Sequence, residues 1–317
     1  MSLKVLVTGG AGFIGSNIVE ELLKKGHSVR VLDNFSTGKR DNLNGLEDDI
    51  HLFEGDIRSH NIVQEAVNGM DVILHQAALP SVPRSIKDPI TTNDVNINGT
   101  LNLLEAAVKS SVQRFVYASS SSVYGDSPEL PKKETMTPNP LSPYAVSKLA
   151  GEKYCQVFSR IYGLETIGLR YFNVFGKKQD PGSQYSAVIP KFIKSMLNDK
   201  QPIIYGDGTQ SRDFTYIANV INANLLAATA EIDGSLVVNC ACHDRINLIE
   251  LVDRINKNIG KDIEPIFEDP RPGDVKHSFA DIDLAKEKLG YEVVVDFDNG
   301  LRKTIESLEG INSLELN

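Results

Sequence analysis

The chain has 317 residues, of which 41% are hydrophobic and 24% charged. That is enough apolar material for two domains, or for one large domain with a second lobe. It excludes a disordered chain, a collagen-like chain and a small disulfide scaffold. A net charge of −9 argues against nucleic-acid and anionic-membrane partners, which need a basic footprint.

The alternation of elements is read in chain order. Val5–Val7 reads as a buried strand, Phe13–Lys25 as an amphipathic helix and Ser28–Leu32 as a second strand. Ile50–Phe53 and Asp71–Leu74 read as further strands, with helices over Asn61–Asn68 and Asn93–Lys109. Arg114–Tyr117 is a fifth strand, Tyr144–Tyr162 a long helix and Glu165–Leu169 a sixth strand. Strands alternating with helices predict an α/β fold, a doubly wound parallel sheet covered on both faces. From about Asn173 the segments shorten, with turns at Asp180-Pro-Gly182, Gly206-Asp-Gly208 and Arg271-Pro-Gly273. The expected division is residues 1–172 for the dinucleotide domain and 173–317 for a smaller substrate lobe. A segment near 215–241, including Val237–Asn239, is expected to return to the sheet.

Cys155, Cys240 and Cys242 form no paired framework. Cys240-x-Cys242-His243 has too short a spacing for a zinc site and no second pair, so no metal is expected. The N-terminus runs straight into a strand with no signal peptide. No apolar run approaches the ~20 residues of a membrane span, and the expected location is the cytoplasm.

The first chemical signal is Thr8-Gly9-Gly10-Ala11-Gly12-Phe13-Ile14-Gly15, between a strand and a helix. Gly9 permits a tight turn, Gly12 lets the backbone approach a pyrophosphate, and Gly15 lets the helix pack close to the strand. The helix N-terminus then directs unpaired N–H groups at the phosphates. Asp33 follows about 20 positions on, where a carboxylate would bind the adenosine ribose and repel a 2′-phosphate. This favours NAD; Lys39 and Arg40, close behind, leave NADP as the alternative. Gly55-Asp56-Ile57 would lie at the adenine edge. Ala77 and Ala78 would let the backbone pass under the cofactor, and His75 reads as a packed strand-end histidine.

The second signal is Tyr144-Ala-Val-Ser147-Lys148, which sets Tyr144 and Lys148 on one helix face. A tyrosine is a weak base at neutral pH, and an ammonium one turn away is expected to favour its phenolate. Ser119–Ser122 ends the fifth strand, where a serine could hydrogen-bond a reacting hydroxyl.

Together these motifs resemble the extended short-chain dehydrogenase/reductases, and more narrowly the nucleotide-sugar 4-epimerases. The resemblance runs nearly end to end. It includes Asp33-Asn-Phe35-Ser36-Thr-Gly38, Tyr117-Ala-Ser-Ser-Ser-Ser-Val-Tyr124-Gly125, Ser142-Pro-Tyr144-Ala-Val-Ser-Lys148 and Leu169-Arg-Tyr-Phe-Asn173-Val-Phe-Gly176. Gly208-Thr-Gln-Ser-Arg212-Asp213-Phe214, His75-Gln-Ala-Ala-Leu-Pro-Ser-Val-Pro-Arg-Ser85 and Arg271-Pro-Gly-Asp274-Val-Lys-His277-Ser278 extend it. The last two are most similar to bacterial epimerases acting on UDP-N-acetylhexosamines.

The resemblance implies a Rossmann sheet and tightly held NAD that is returned unchanged. It implies Tyr144 as general base, Lys148 as the group that holds the nicotinamide ribose and tunes Tyr144, Ser120 as the catalytic serine, and Ser122 as its assistant. Tyr144 would take the sugar 4-hydroxyl proton while the 4-hydride passes to the nicotinamide. The 4-keto sugar would then turn over and recover the hydride on its other face, held by a tight grip on UDP. It also implies cofactor contacts from Gly9, Gly12, Phe13, Ile14, Gly15, Asp33, Asn34, Ser36, Thr37, Gly38, Asp56, Ile57, Ala77, Ala78, Asn96, Tyr144, Lys148 and Tyr171. Substrate contacts are implied for Ser81, Val82, Arg84, Ser120, Asn173, Ala187, Val188, Tyr205, Arg212, Arg271, Asp274 and Ser278. Arg212 and Arg271 would pair with the diphosphate; on its own, Arg212-Asp213 reads as a surface ion pair. Ser278 would flank the sugar 2-substituent, and its small side chain leaves room for an N-acetyl group. That admits UDP-GlcNAc and UDP-GalNAc beside UDP-glucose and UDP-galactose.

Related dehydratases carry an Asp-Glu pair where this chain has Ser121 and Ser122, and related decarboxylases carry Glu at the place of Ser122. A UDP-glucuronate 4-epimerase remains an alternative, with Arg84 as the candidate carboxylate contact. A non-catalytic NAD-binding sensor is the alternative from another class. A homodimer is expected through the Asn93–Lys109 and Tyr144–Tyr162 helices, with Val146, Leu149, Cys155 and Phe158 as an apolar stripe.

Overall fold

A computed structural model of the chain describes residues 2–182, 187–270 and 276–315, with side chains as far as 310. The strands β1 (Lys4–Thr8), β2 (Ser28–Asp33), β3 (Ile50–Glu54), β4 (Val72–His75), β5 (Arg114–Ser120), β6 (Glu165–Tyr171) and β7 (Ser235–Cys240) form one sheet. Its order is β7-β6-β5-β4-β1-β2-β3, and every pairing is parallel. The chain moves outward from β1 to β3, then restarts on the other side with β4. The crevice beyond the C-terminal ends of β1 and β4 is therefore the switch point at which such sheets take ligands.

Strand alternation sorts the core. Val5, Val7, Val72, Leu74, Val116 and Ala118 bury on one face, and Leu6, Ile73, Phe115 and Tyr117 on the other. Helices α1 (Phe13–Lys24), α2 (His60–Val67), α3 (Gly99–Lys109) and α4 (Pro143–Tyr162) connect the strands. Ser142 starts α4 by accepting from the Ala145 N–H at 3.2 Å. Gly163, at φ 74°, ends it in the left-handed conformation that glycine tolerates.

Three departures from the sequence reading bear on the site. Strands β5 and β6 run on to Ser120 and Tyr171, which brings Ser120 and Tyr171 to the sheet edge. A short helix, Val82–Lys87, lies where none was expected. The helical stretch before α3 begins at Pro89, capped by Asp88, and passes through a π turn at Asp94–Asn98. Asn96 explains that turn: its side chain is held by the Leu79 backbone and by Ser147 Oγ.

The second half is built from short strand pairs and helices. Val174–Phe175 pairs with Thr215–Tyr216, Ser211–Arg212 with Ile246–Asn247, and Ile203–Tyr205 with Ile266–Glu268. The helix Ile217–Thr229 lies on the sheet side of this region, and β7 extends the sheet beside β6.

Candidate active site

The glycine turn between β1 and α1 is sterically exacting. Gly9 has φ +68°, and a Cβ there would lie 2.7 Å from the Ala77 nitrogen. A Cβ on Gly15 would lie 2.1 Å from the Gly9 carbonyl oxygen. These contacts hold the turn tight against the Ala77 backbone, and Thr8 Oγ1 accepts from the Ala77 N–H at 3.2 Å.

Above this turn opens a cavity of about 500 Å³. Gly9, Gly12, Phe13, Ile14 and Gly15 form one wall, and Asp33, Asn34, Ser36 and Thr37 another. Asp56, Ile57, Ala77, Ala78, Ser81, Arg84, Tyr144, Lys148 and Tyr171 also line it. Asp33 accepts from the Ala11 N–H at 2.9 Å and the Phe35 N–H at 2.8 Å. Burial pushes its carboxyl above the usual range, against the pull of these amides. Gly38 packs behind it, since a Cβ there would come within 3.0 Å of Asp33 Oδ1. Asp56 is held down to about 2 by the Arg58 guanidinium, and also accepts from Asn34 Nδ2 at 2.8 Å. Lys39 is bridged to Asp180 at 2.8 Å and Arg40 to Glu54 at 2.5 Å. The two cations that kept a 2′-phosphate in play are thus engaged by carboxylates.

Tyr144 and Lys148 stand one turn apart on α4, facing the ends of β4 and β5. Lys148 is buried and donates to the Ala118 carbonyl at 2.8 Å. Burial pushes its ammonium down to about 8. The ammonium also lies over the phenol ring of Tyr144, 5.9 Å from its centroid. Burial raises the Tyr144 pKa, and the nearby Ser120 side chain acts to lower it. Ser120 sits just behind the cavity wall and accepts from the Ser122 N–H at 3.2 Å. The Ser122 hydroxyl is buried and takes no hydrogen-bond partner among the described residues. Tyr171 donates to Gln76 Oε1 at 3.1 Å and accepts from Asn224 Nδ2 at 2.8 Å, fixing the cavity floor.

A second cavity, of about 290 Å³, adjoins the first through Ala187, which lines both. Asn173, Val188, Tyr205 and Arg212 line it. Ser278 is placed at its edge by Asn173, whose Nδ2 donates to Ser278 Oγ at 3.3 Å. Asp213 does not pair with Arg212 at the surface. It is fully buried and accepts from the Cys242 N–H at 2.9 Å and the Ala280 N–H at 3.2 Å. Burial pushes its carboxyl up to about 7.

Other expected residues fall elsewhere. Asn96 is buried and supports Leu79 and Ser147 from behind rather than lining the cavity. Val82 is exposed and off the wall, although its neighbour Ser81 is on it. Arg271 and Asp274 lie outside the described residues. His75 is packed, hydrogen-bonded to Thr8 and Thr100 and pushed down to about 3 by burial. The sequence reading missed Gln179 and Asp180 on the first wall, and Phe192 and Gln210 on the second. Asp180 was visible only as turn punctuation, and Gln210 lay unremarked inside a quoted motif. Among the described residues, no helix is long and apolar enough to cross a membrane.

The site suits NAD on its own geometry. The cradle at Gly9 would be filled by a Cβ, the α1 N-terminus opens on the cavity, and a carboxylate ends β2. Comparison with known proteins agrees. The model of the "NAD dependent epimerase/dehydratase family" matches residues 5–241. The UDP-glucose 4-epimerase of Mycolicibacterium smegmatis is 36% identical over 96% of this chain and 98% of its own. The UDP-N-acetylglucosamine 4-epimerase of Methanobrevibacter ruminantium, solved with UDP-N-acetylmuramic acid, is 39% identical with a TM-score of 0.94, covering 98% of this chain and 99% of that one. The UDP-glucuronic acid 4-epimerase of Bacillus cereus, solved with UDP-glucuronic acid and NAD, is 34% identical with a TM-score of 0.90, covering 98% and 100%. The chain belongs to the NAD-dependent epimerase/dehydratase family of the extended short-chain dehydrogenase/reductases.

Proposed function

We propose that the protein is a UDP-sugar 4-epimerase that interconverts UDP-GlcNAc and UDP-GalNAc, and also UDP-glucose and UDP-galactose. The observation that carries this reading is the junction of the two cavities. Tyr144 and Lys148 line the first, and the Asn173–Ser278 pair stands at the second.

NAD, when bound, accepts and returns the hydride of the sugar C4. Gly9, Gly12 and Gly15 would seat its pyrophosphate, and Asp33 its adenosine ribose. Tyr144 then takes the proton of the 4-hydroxyl and returns it to the 4-keto oxygen. Ser120, beside Tyr144 at the end of β5, would hydrogen-bond the reacting hydroxyl and favour the phenolate. Lys148, held at the end of β5, adds positive charge beside the reacting centre. Arg212 engages the diphosphate, and the nucleotide grip retains the sugar while it turns over.

Ser278 leaves space at the sugar 2-substituent. Ser278→Tyr is expected to cut turnover of UDP-GlcNAc about 100-fold while changing that of UDP-glucose far less, because an added ring overfills the site only for the N-acetyl sugar. Parallel assays on the two substrates read the ratio; an unchanged ratio refutes the specificity assignment. Asp33→Asn is expected to weaken NAD binding about tenfold and to narrow the preference over NADP, since a charged acceptor and its repulsion of phosphate are both lost. Equilibrium binding of the two dinucleotides measures this.

Arg84 on the first wall favours a second reading, a UDP-glucuronate 4-epimerase in which it meets the 6-carboxylate. Turnover of UDP-glucuronate in preference to UDP-GlcNAc would select it. The proposal includes a homodimer through α3 and α4; Val146 and Ile161 on α4 are exposed apolar side chains that suit such a contact, whereas Cys155 and Phe158 are buried in the sheet layer. It also includes a cytoplasmic location and a domain boundary at 172/173, with a segment near 215–241 rejoining the first unit.

A further inference from the structure

Behind the proposed catalytic residues runs a buried polar chain that the mechanism above does not use. Glu152 lies on α4, one turn beyond Lys148. Its carboxylate accepts from Ser119 Oγ at 2.5 Å, and from Arg170 Nε at 2.9 Å and Nη2 at 2.8 Å. All three side chains are buried. Ser119 precedes Ser120 at the end of β5, and Arg170 precedes Tyr171 at the end of β6. The Arg170 guanidinium lies 4.7 Å from the Tyr124 ring centroid, and Tyr124 donates to Asn239 Oδ1 on β7 at 2.7 Å.

Apolar side chains of similar volume would pack such a space at least as stably as a buried ion pair. What the pair adds is fixed geometry, because a bidentate fork specifies both distance and orientation. One carboxylate here fastens the catalytic helix to the ends of two strands.

We infer that Glu152 is a positioning residue. It sets the spacing between α4, which carries Tyr144 and Lys148, and the end of β5, which carries Ser120. It thereby fixes the position of Ser120 relative to Tyr144 and Lys148. The inference rests on the reading of Tyr144 as the acid–base group.

Glu152→Gln keeps the volume but removes the charged fork to Arg170. Ser119→Ala removes only the tie to β5. Both are to be assayed as NAD-loaded protein, with rates expressed per folded, loaded molecule. For Glu152→Gln, kcat is expected to fall about tenfold with KM for the nucleotide sugar within about twofold of the parent. The pH at which Tyr144 loses its proton is expected to shift, because Ser120 and Lys148 would no longer be held at a fixed distance from the phenol. Ultraviolet difference titration against Tyr144→Phe reads that pH without any turnover. Ser119→Ala should show the same changes more weakly, and it decides alone if Glu152→Gln does not fold. A loss confined to thermal stability, with kcat and the Tyr144 titration unchanged in loaded protein, overturns the inference. A parent that titrates as expected but epimerises no UDP-sugar refutes the functional reading instead, and leaves the titration to judge Glu152.

Discussion

Tyr144→Phe is expected to lower turnover about 1000-fold while leaving the fold and the NAD content unchanged, because it removes only the proposed proton-transfer group. The phenyl ring keeps the packing of the first α4 turn, and Ser142 still caps the helix. Lys148 keeps its bond to the Ala118 carbonyl and Ser120 its bond from the Ser122 amide. What disappears is the phenolic hydroxyl of a residue on the cavity wall. Steady-state rates, together with dinucleotide content and a melting curve, check this. A rate within tenfold of the parent would place the acid–base chemistry elsewhere. A lost rate accompanied by lost NAD would make Tyr144 a binding group rather than a proton carrier.

Gly15→Ala is expected to destabilise the protein by about 3 kcal/mol or more and to abolish NAD retention. The added Cβ would lie 2.1 Å from the Gly9 carbonyl oxygen and 2.8 Å from the Gly10 Cα. Both are backbone atoms of the turn itself, so no side chain can move aside. Relief requires α1 to shift away from β1, which opens the cradle and displaces the helix N-terminus from the phosphate position. The contrast is Gly26→Ala in the next turn. No atom lies within 4 Å of a Cβ there, and its φ of +77° alone makes the change modestly unfavourable. Chemical denaturation of both variants, with and without added NAD, separates steric disruption of the cradle from general backbone strain. Equal losses at the two positions would deny the turn its special role.

The parts of this site legible in the sequence were those encoded by local spacing. The glycine turn is encoded by spacing within seven residues and by the strand and helix that flank it, although Gly9 also packs against the distant Ala77 backbone. Tyr144 and Lys148 share a face because of helical periodicity alone. The strand alternation of Val5, Leu6 and Val7 likewise predicts the two faces that the structure buries.

What escaped depends on partners far along the chain. Asp213 looked like half of a surface pair with its neighbour Arg212, yet its oxygens are taken by amides of Cys242 and Ala280. Lys39 looked like a free cation near the ribose, but Asp180 pairs with it from across the cleft. Helical spacing puts Lys148 beside Tyr144 but does not show that its ammonium also donates to the Ala118 carbonyl on a strand. The π turn at Asp94–Asn98 likewise follows from Asn96 meeting the Leu79 backbone and Ser147, contacts that no periodicity reveals.

The central claim is that one hydride leaves C4 and returns to C4 within a single binding event. The most direct measurement incubates the purified protein with UDP-GlcNAc deuterated at C4, adding no dinucleotide, and follows the product by proton NMR. The account predicts UDP-GalNAc that retains the deuterium at C4, with no net formation of NADH. Conversion with loss of the label to solvent, or no conversion of UDP-GlcNAc, UDP-glucose or UDP-glucuronate even when NAD is supplied, would contradict it.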